Sequence, residues 1–286
     1  MGSRHARIAD NISVGGVQPS AASRKPLARQ FDMKSMVTAN QKGGVGKTAT
    51  IVHLAFDFVE RGLKVAVVDI DPQANASYTL QEFTSDYPAS HLFRGLDQTI
   101  PLPTPSDAPE PVLIAADALL ADIERMTLDE ACAAFQGGLA ALSAQGFDVC
   151  LIDTAPTLGN GLAAALYAAQ FVLSPIELEA YSIQGIDKML TTISNIREFN
   201  EDLQFLGMVP SKVDARNPRH ALHLAELNAA YPQLMIPAPV GLRSSIADAL
   251  ASGIPVWRIR KTAARKAAQE VRALANYVHD KMEITQ

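Results

Sequence analysis

The 286-residue chain is 48% apolar and 19% charged, which is enough to bury a real core and more than a minimal domain needs, so one large domain with appendages is expected. A net charge of −5 excludes a general nucleic-acid binder by composition, and no apolar run approaches the ~18 residues of a membrane span. Nothing resembles a signal peptide, and Cys132 and Cys150 have no Cys or His at metal spacing, so a soluble chain of the reducing cytoplasm with two buried thiols is expected.

The charge is unevenly spread. Residues 1–35 hold six Lys/Arg against two acids and 256–286 hold seven against three, while 36–255 hold twelve against twenty-five. An acidic body with basic ends can still present a local basic patch, which is what a phosphate backbone responds to.

Residues 1–33 lack hydrophobic periodicity and are rich in Ser, Gly, Pro and Arg, the composition of a flexible basic tail; the folded domain is expected over 34–286. From Ser35 short apolar runs alternate with amphipathic segments, the pattern of a parallel α/β sheet. Strands are expected at 35–40, 64–69, 112–115, 148–153, 171–175, 204–210 and 234–237. Helices are expected at 47–61, closed by Gly62, and at 117–126, 127–145, 160–169, 182–199, 219–230, 243–251 and 262–281. The proline-rich stretch from Gly95 to Pro111 reads as a loop. The expected architecture is a single doubly wound α/β domain, with a mostly parallel sheet of seven or eight strands flanked by helices.

The first strand, loop and helix, "SMVTANQKGGVGKTATIVHLAFDFVERG", stand in the order a phosphate site requires. Gly43, Gly44 and Gly46 let backbone amides turn toward phosphate oxygens, and a helix starting near Lys47 adds its positive N-terminal dipole. Lys47 is placed to reach the β and γ phosphates and the Thr48 hydroxyl to ligate Mg²⁺. The common loop pattern asks for glycine at position 41, where this chain has Gln41, and a second lysine, Lys42, stands five positions before Lys47. Three aspartates follow at strand ends. Asp69 and Asp71 are two apart and so share a face, and Asp153 closes the apolar run "VCLID". Any one of them alone could be an ordinary helix N-cap. All three beside one glycine loop point to a Mg-ATPase. No Ser-His-Asp or Cys-His set competes, and the six histidines are scattered.

"KGGVGKT" is the variant loop of the partition and cell-division ATPases related to ParA and MinD, the deviant Walker A class of P-loop NTPases, which the chain resembles from about Met36 onward. The resemblance implies ATP and Mg²⁺ as cofactors. It gives Lys42, Gly43, Gly44, Val45, Gly46, Lys47, Thr48 and Ala49 as the phosphate-binding set, with Ser211, Lys212 and Pro237 beside the adenine. It makes Lys42, Lys47 and Asp71 catalytic: Lys42 crosses to the phosphates bound by a facing subunit, and Asp71 orients the attacking water. Thr48, Asp69 and Asp153 serve the metal, Asp153 as a Walker B carboxylate and Asp69 from behind. A solvated lysine beside an ordinary loop is the plain alternative for Lys42. Ala74 departs from close relatives, which often have glycine there, so the backbone after Gln73 is expected to differ.

Three branches of the family are weighed. A membrane-binding MinD type would end in an amphipathic basic helix. Val271, Leu274, Val278 and Met282 do recur at helical spacing, but on an alanine-rich face better suited to packing, so no stable membrane association is expected. An iron–sulfur carrier would need placed cysteines, whereas Cys150 lies in an apolar strand and Cys132 in an alanine-rich helix. The second half favours DNA partition: "VPSKVDARNPRH" and "PAPVGLRSSIADALASGIPVW" resemble stretches of ParA proteins that carry non-specific DNA-binding arginines. The match is similar to IncC-type partition ATPases. It implies an ATP-dependent homodimer in the cytoplasm, associated with the nucleoid, that binds DNA without sequence preference through Arg216 and Arg243, with Lys212, Arg219 and the 258–261 "RIRK" run extending the patch. The implied partner is a ParB-type centromere-binding protein, KorB-like, that stimulates hydrolysis. A MinD-like spatial regulator acting at a membrane or protein surface is the alternative.

Overall fold

The computed structural model describes residues 32–95, 100–178 and 182–284, with backbone only at 182–185. Most of the expected tail lies outside these residues. Met33, expected in the tail, is instead part of the core, its N–H 3.4 Å from Ser143 Oγ, so the domain begins ahead of residue 34.

Six strands form one sheet: β1 (Lys34–Thr38), β2 (Val65–Asp69), β3 (Val112–Ile114), β4 (Val149–Asp153), β5 (Phe171–Glu177) and β6 (Gln204–Ser211). Their order is β3-β2-β4-β1-β5-β6 and every pairing is parallel. Each strand is buried on both sides, and the period-2 alternation of side chains splits the core in two. Val65, Val67, Val149 and Leu151 face one layer with α1 (Lys47–Glu60) and α8 (Thr262–Lys281). Ala66, Val68, Cys150 and Ile152 face the other, with α3 (Leu128–Ala144), α4 (Asn160–Ala168) and α5 (Ser182–Arg197). Helices on both faces make the sheet doubly wound. β1 lies between β4 and β5, where the winding changes direction, and the C-terminal ends of such strands are where open α/β sheets hold ligands.

The expected seventh strand at 234–237 does not form. Met235 makes an isolated parallel bridge to Met208, with Ile236 N–H donating to Met208 O at 2.9 Å. Pro237 and Pro239 have no N–H and interrupt the ladder, which resumes only with Val240 N–H donating to Pro210 O at 2.8 Å and a second isolated bridge between Val213 and Gly241, so six strands, not seven or eight, are seen among the described residues. Gly207, at φ 129°, admits this edge segment, since a Cβ there would meet Leu234 O at 2.6 Å. The expected helix at 117–126 is a 3₁₀ segment, Ala118–Arg125, and a short helix α2 (Asn75–Thr79) was not foreseen.

α1 runs through the core with eleven of its residues buried and ends at Gly62, whose φ of 88° is the left-handed conformation expected after a helix. α8 packs on the same side, and its Val271, Leu274 and Val278, with Met282 just after it, are all buried, as packing rather than membrane anchoring requires. Among the described residues no helix is long and apolar enough to cross a membrane. Both cysteines are buried and reduced, and burial pushes the Cys150 thiol up to about 12.

Candidate active site

The loop from Ala39 to Gly46 joins β1 to α1. Gly44 and Gly46 take φ of 75° and 100°, conformations open to glycine at little cost. Gly46 is the N-cap of α1 and supplies no side-chain cap, so amides of the first turn face the loop's concavity unspent. Asn40 shapes the entry. Its side-chain amide donates to Pro175 O at 2.7 Å, and its Oδ1 accepts from Lys42 N–H at 2.8 Å, which ties the loop to β5.

The two lysines are set in opposite directions. Lys47 is buried, its Nζ donating to Asn40 O at 3.2 Å; burial pulls its pKa down, against the attraction of Asp153 and Asp71. Lys42 lies at the surface with its Nζ 2.7 Å from Glu177 Oε2, and Lys212 reaches the other oxygen, Oε1, at 3.1 Å. Partial burial works against charge on Glu177, but the two ammonium groups outweigh it and hold its carboxyl below the usual range. Lys212 has φ 54°, and its Nζ lies 3.8 Å from where a Cβ on Gly44 would stand, so it closes over the phosphate loop.

The three aspartates meet at the strand ends, with Asp69 and Asp153 in direct register between β2 and β4. Asp153 is fully buried and accepts from Thr48 Oγ1 at 2.6 Å and Thr38 Oγ1 at 3.3 Å. Burial, and then the charge of Asp69, push its pKa up to about 7, against the Thr48 hydroxyl and the Lys47 ammonium. Asp69 has both oxygens engaged: Oδ1 accepts from Asp71 N–H at 3.0 Å, and Oδ2 from Ser77 N–H and Ser77 Oγ at 2.8 Å each. Burial raises its pKa, and those three donors oppose the rise. Its contacts make Asp69 the brace of the Asp71–Ser77 turn. Asp71 is 6% exposed, lines the cavity and accepts from Gln73 N–H at 2.9 Å.

Ala74 takes φ of 55°, so the alanine bears the strain of a left-handed residue. Ala74→Gly is expected to raise stability by about 1 kcal/mol, since an L side chain in this region costs about 1–2 kcal/mol and glycine gives back part of that in entropy. Urea unfolding midpoints check this, and an unchanged midpoint would mean that the turn bears no strain.

Below the loop opens a cavity of about 630 Å³, lined by Gly43–Thr50, Asp71, Ser211, Lys212, Val240–Arg243 and apolar positions of α7 (Ser244–Ala251) and α8. Pro237 is not among its lining residues. His53 of α1 also lines it. Its Nδ1–H donates to Ala49 O at 2.7 Å, burial pushes its pKa down to about 4, and its buried Nε2 has no partner among the described residues.

The residues expected to meet DNA divide into two sets. Arg216, with a side chain 92% exposed, and Arg219, at the N-terminal turn of α6 (Pro218–Ala230), stand in solvent. Arg243 does not: it forms a forked pair with Glu270 of α8, Nε to Oε2 at 2.8 Å and Nη2 to Oε1 at 2.5 Å, on the cavity wall. Lys212 is held by Glu177. In the "RIRK" run Arg258 pairs with Glu60 and Lys261 with Asp248, while Arg260 is exposed. Glu177, Asn40, Ser77 and His53 were not singled out in the sequence; an acid closing the apolar run "FVLSPIE" was the one signal for Glu177.

A family model described as an AAA domain matches residues 33–205. Protein IncC of Escherichia coli is 68% identical over 259 residues, 89% of this chain and 71% of that protein. The chromosome-partitioning ATPase Soj of Thermus thermophilus is 30% identical over 247 residues, 84% of this chain and 96% of that protein. Among solved structures, cobyrinic acid a,c-diamide synthase from Mycobacterium smegmatis, with bound ADP and magnesium, is similar at a TM-score of 0.69 and 26% identity, over 87% of this chain and 96% of that one.

Proposed function

The chain belongs to the ParA/MinD family of deviant Walker A ATPases, and from that premise we propose that it is a DNA-partition ATPase. It binds Mg-ATP, pairs with a second copy of itself across two nucleotides, and in that state holds DNA by its phosphates. A ParB-type centromere-binding partner, KorB-like, then stimulates hydrolysis and releases the DNA. The high identity to IncC and the resemblance to Soj support partition over the other uses of the fold.

The observation that carries the reading is the division between the lysines. Lys47 turns inward among the carboxylates, while Lys42 turns outward onto Glu177, on the rim, where a facing subunit can reach it. The residues present fit the cofactor: two glycines at positive φ, an uncapped helix start, and a buried carboxylate, Asp153, that accepts from Thr48 Oγ1 at 2.6 Å. Mg²⁺, when bound, neutralises charge on the phosphate oxygens. Thr48 and Asp153 are the residues that would hold it. Loop amides and Lys47 bind the phosphates, Asp71 orients the attacking water, and Asp69 fixes Asp71 through its backbone N–H. Lys42 brings positive charge to the neighbour's triphosphate, the work an arginine finger does elsewhere. ATP thereby becomes part of the dimer interface, and assembly follows nucleotide state.

With hydrolysis blocked by Asp71→Ala, the chain is expected to sediment as a dimer with Mg-ATP and as a monomer with ADP. Only the ATP form should co-sediment with DNA, and neither form with anionic liposomes. Monomers alone at saturating Mg-ATP would remove the reading, and retention on liposomes instead of DNA would favour a MinD-like regulator.

A further inference from the structure

Glu177 stands at the C-terminal end of β5, in register with Ser211 of β6. The strand neighbouring it on the other side is β1, which leads into the phosphate loop. One carboxylate therefore sits between the two limbs that close the nucleotide mouth, Lys42 on the loop and Lys212 after β6, and each of its oxygens takes one ammonium. We propose that Glu177 is a positioning residue that latches Lys42 within its own subunit, so that Lys42 reaches a partner's nucleotide only after giving up this contact.

The inference rests on the trans role of Lys42 argued above. The Lys42 side chain is 46% exposed and that of Glu177 is 17% exposed, so the pair is sheltered on the acid's side and open on the lysine's. Such a contact is weak enough to exchange and strong enough to bias. A triphosphate entering the loop attracts both lysines, and Lys212, whose Nζ already lies over Gly44, meets it first within the same subunit. A lysine that moves to phosphate takes away an ammonium that shared the carboxylate, so departure of Lys212 leaves Glu177 holding Lys42 the more firmly. The latch on Lys42 is therefore released when a partner's triphosphate competes with Glu177 for it, and a chain without nucleotide keeps it folded back. Asn40 supports the closed position by accepting from Lys42 N–H while donating to Pro175 O on β5, so the backbone at Lys42 stays fixed while its side chain swings.

Glu177→Gln preserves shape and removes the charge. In the chain without nucleotide, competitive acylation followed by mass spectrometry should show Lys42 reacting several-fold faster in this variant, relative to exposed Lys188, because an ammonium paired with a carboxylate gives up its proton less readily. Glu177→Asp, which keeps the charge, should stay closer to the parent. Unchanged Lys42 labelling in Glu177→Gln would overturn the latch, whether or not the protein dimerises. With Mg-ATP and hydrolysis blocked by Asp71→Ala, Glu177→Gln should tighten the dimer about tenfold, since an exposed pair is weak and each dimer breaks it twice. A weakened dimer would overturn the latch and make Glu177 a support that Lys42 needs. If the parent forms no ATP dimer while labelling still rises, the reading of Lys42 as a trans residue fails and the contact to Glu177 stands.

Discussion

Lys42→Ala is expected to lower partner-stimulated ATP turnover by about 10³-fold, the smaller end of what a cation delivered in trans supplies to phosphoryl transfer. Nucleotide affinity of the single subunit should change by no more than about fivefold, because the side chain removed is held at an exposed pair and not on the subunit's own phosphates. Lys47→Ala should behave in the opposite way and abolish nucleotide binding, since Lys47 is buried in the loop beside Asp71 and Asp153. The contrast is the test. Equilibrium binding of a labelled nucleotide separates the two variants, and phosphate release with DNA and partner present gives the rate. Stimulated turnover that survives Lys42→Ala would leave Lys42 as a surface lysine with no part in the chemistry, and the dimer-dependent mechanism would fall with it.

That expectation depends on features that were legible in the sequence to different degrees. The β1–loop–α1 unit was legible because its signals are local: an apolar run, glycines where the backbone turns left-handed, and Gly62 after the helix. The aspartates at strand ends were legible for the same reason, as each closes its own run. Asp69 shows where local reading stops. Its position at the strand end was evident, but its occupation by Ser77 and by the Asp71 N–H depends on how the following turn folds back. Position 234–237 had strand composition, and its prolines, Pro237 and the nearby Pro239, cut the pairing into isolated bridges. The least legible contact is Lys42 with Glu177. These residues are 135 positions apart and meet only because β5 lies next to β1 in the sheet order, which no periodicity states. Arg243 is similar: its charge was visible, and the acid on α8 that takes it was not.

The fate of Arg243 bears on where DNA is held. Phosphate contacts need cations that can leave water for an anion without abandoning a better partner, and Arg243 is already forked onto Glu270. Lys212 is engaged at the nucleotide mouth. Arg216 and Arg219 both remain in solvent, as Arg260 does elsewhere, and they stand three residues apart at one helix start. Arg216 makes a contact to Asp214 Oδ1 at 3.3 Å, but with 92% of its side chain exposed that pair contributes little. Arg216→Glu combined with Arg219→Glu is therefore expected to weaken DNA binding by the ATP form by roughly 100-fold at moderate salt. The slope of log affinity against log salt should flatten by about 0.9 for each phosphate that is no longer neutralised. ATP-dependent dimers should persist, because neither residue lines the cavity. Arg243→Glu should act differently, disturbing the cavity wall by setting two carboxylates against each other and weakening nucleotide binding before DNA is involved. DNA retention across a salt series, alongside sedimentation with Mg-ATP, distinguishes the two. If the Arg216 and Arg219 variant holds DNA with an unaltered slope while Arg243→Glu loses DNA with nucleotide still bound, the arginine on the cavity wall, not the exposed pair, carries the interface.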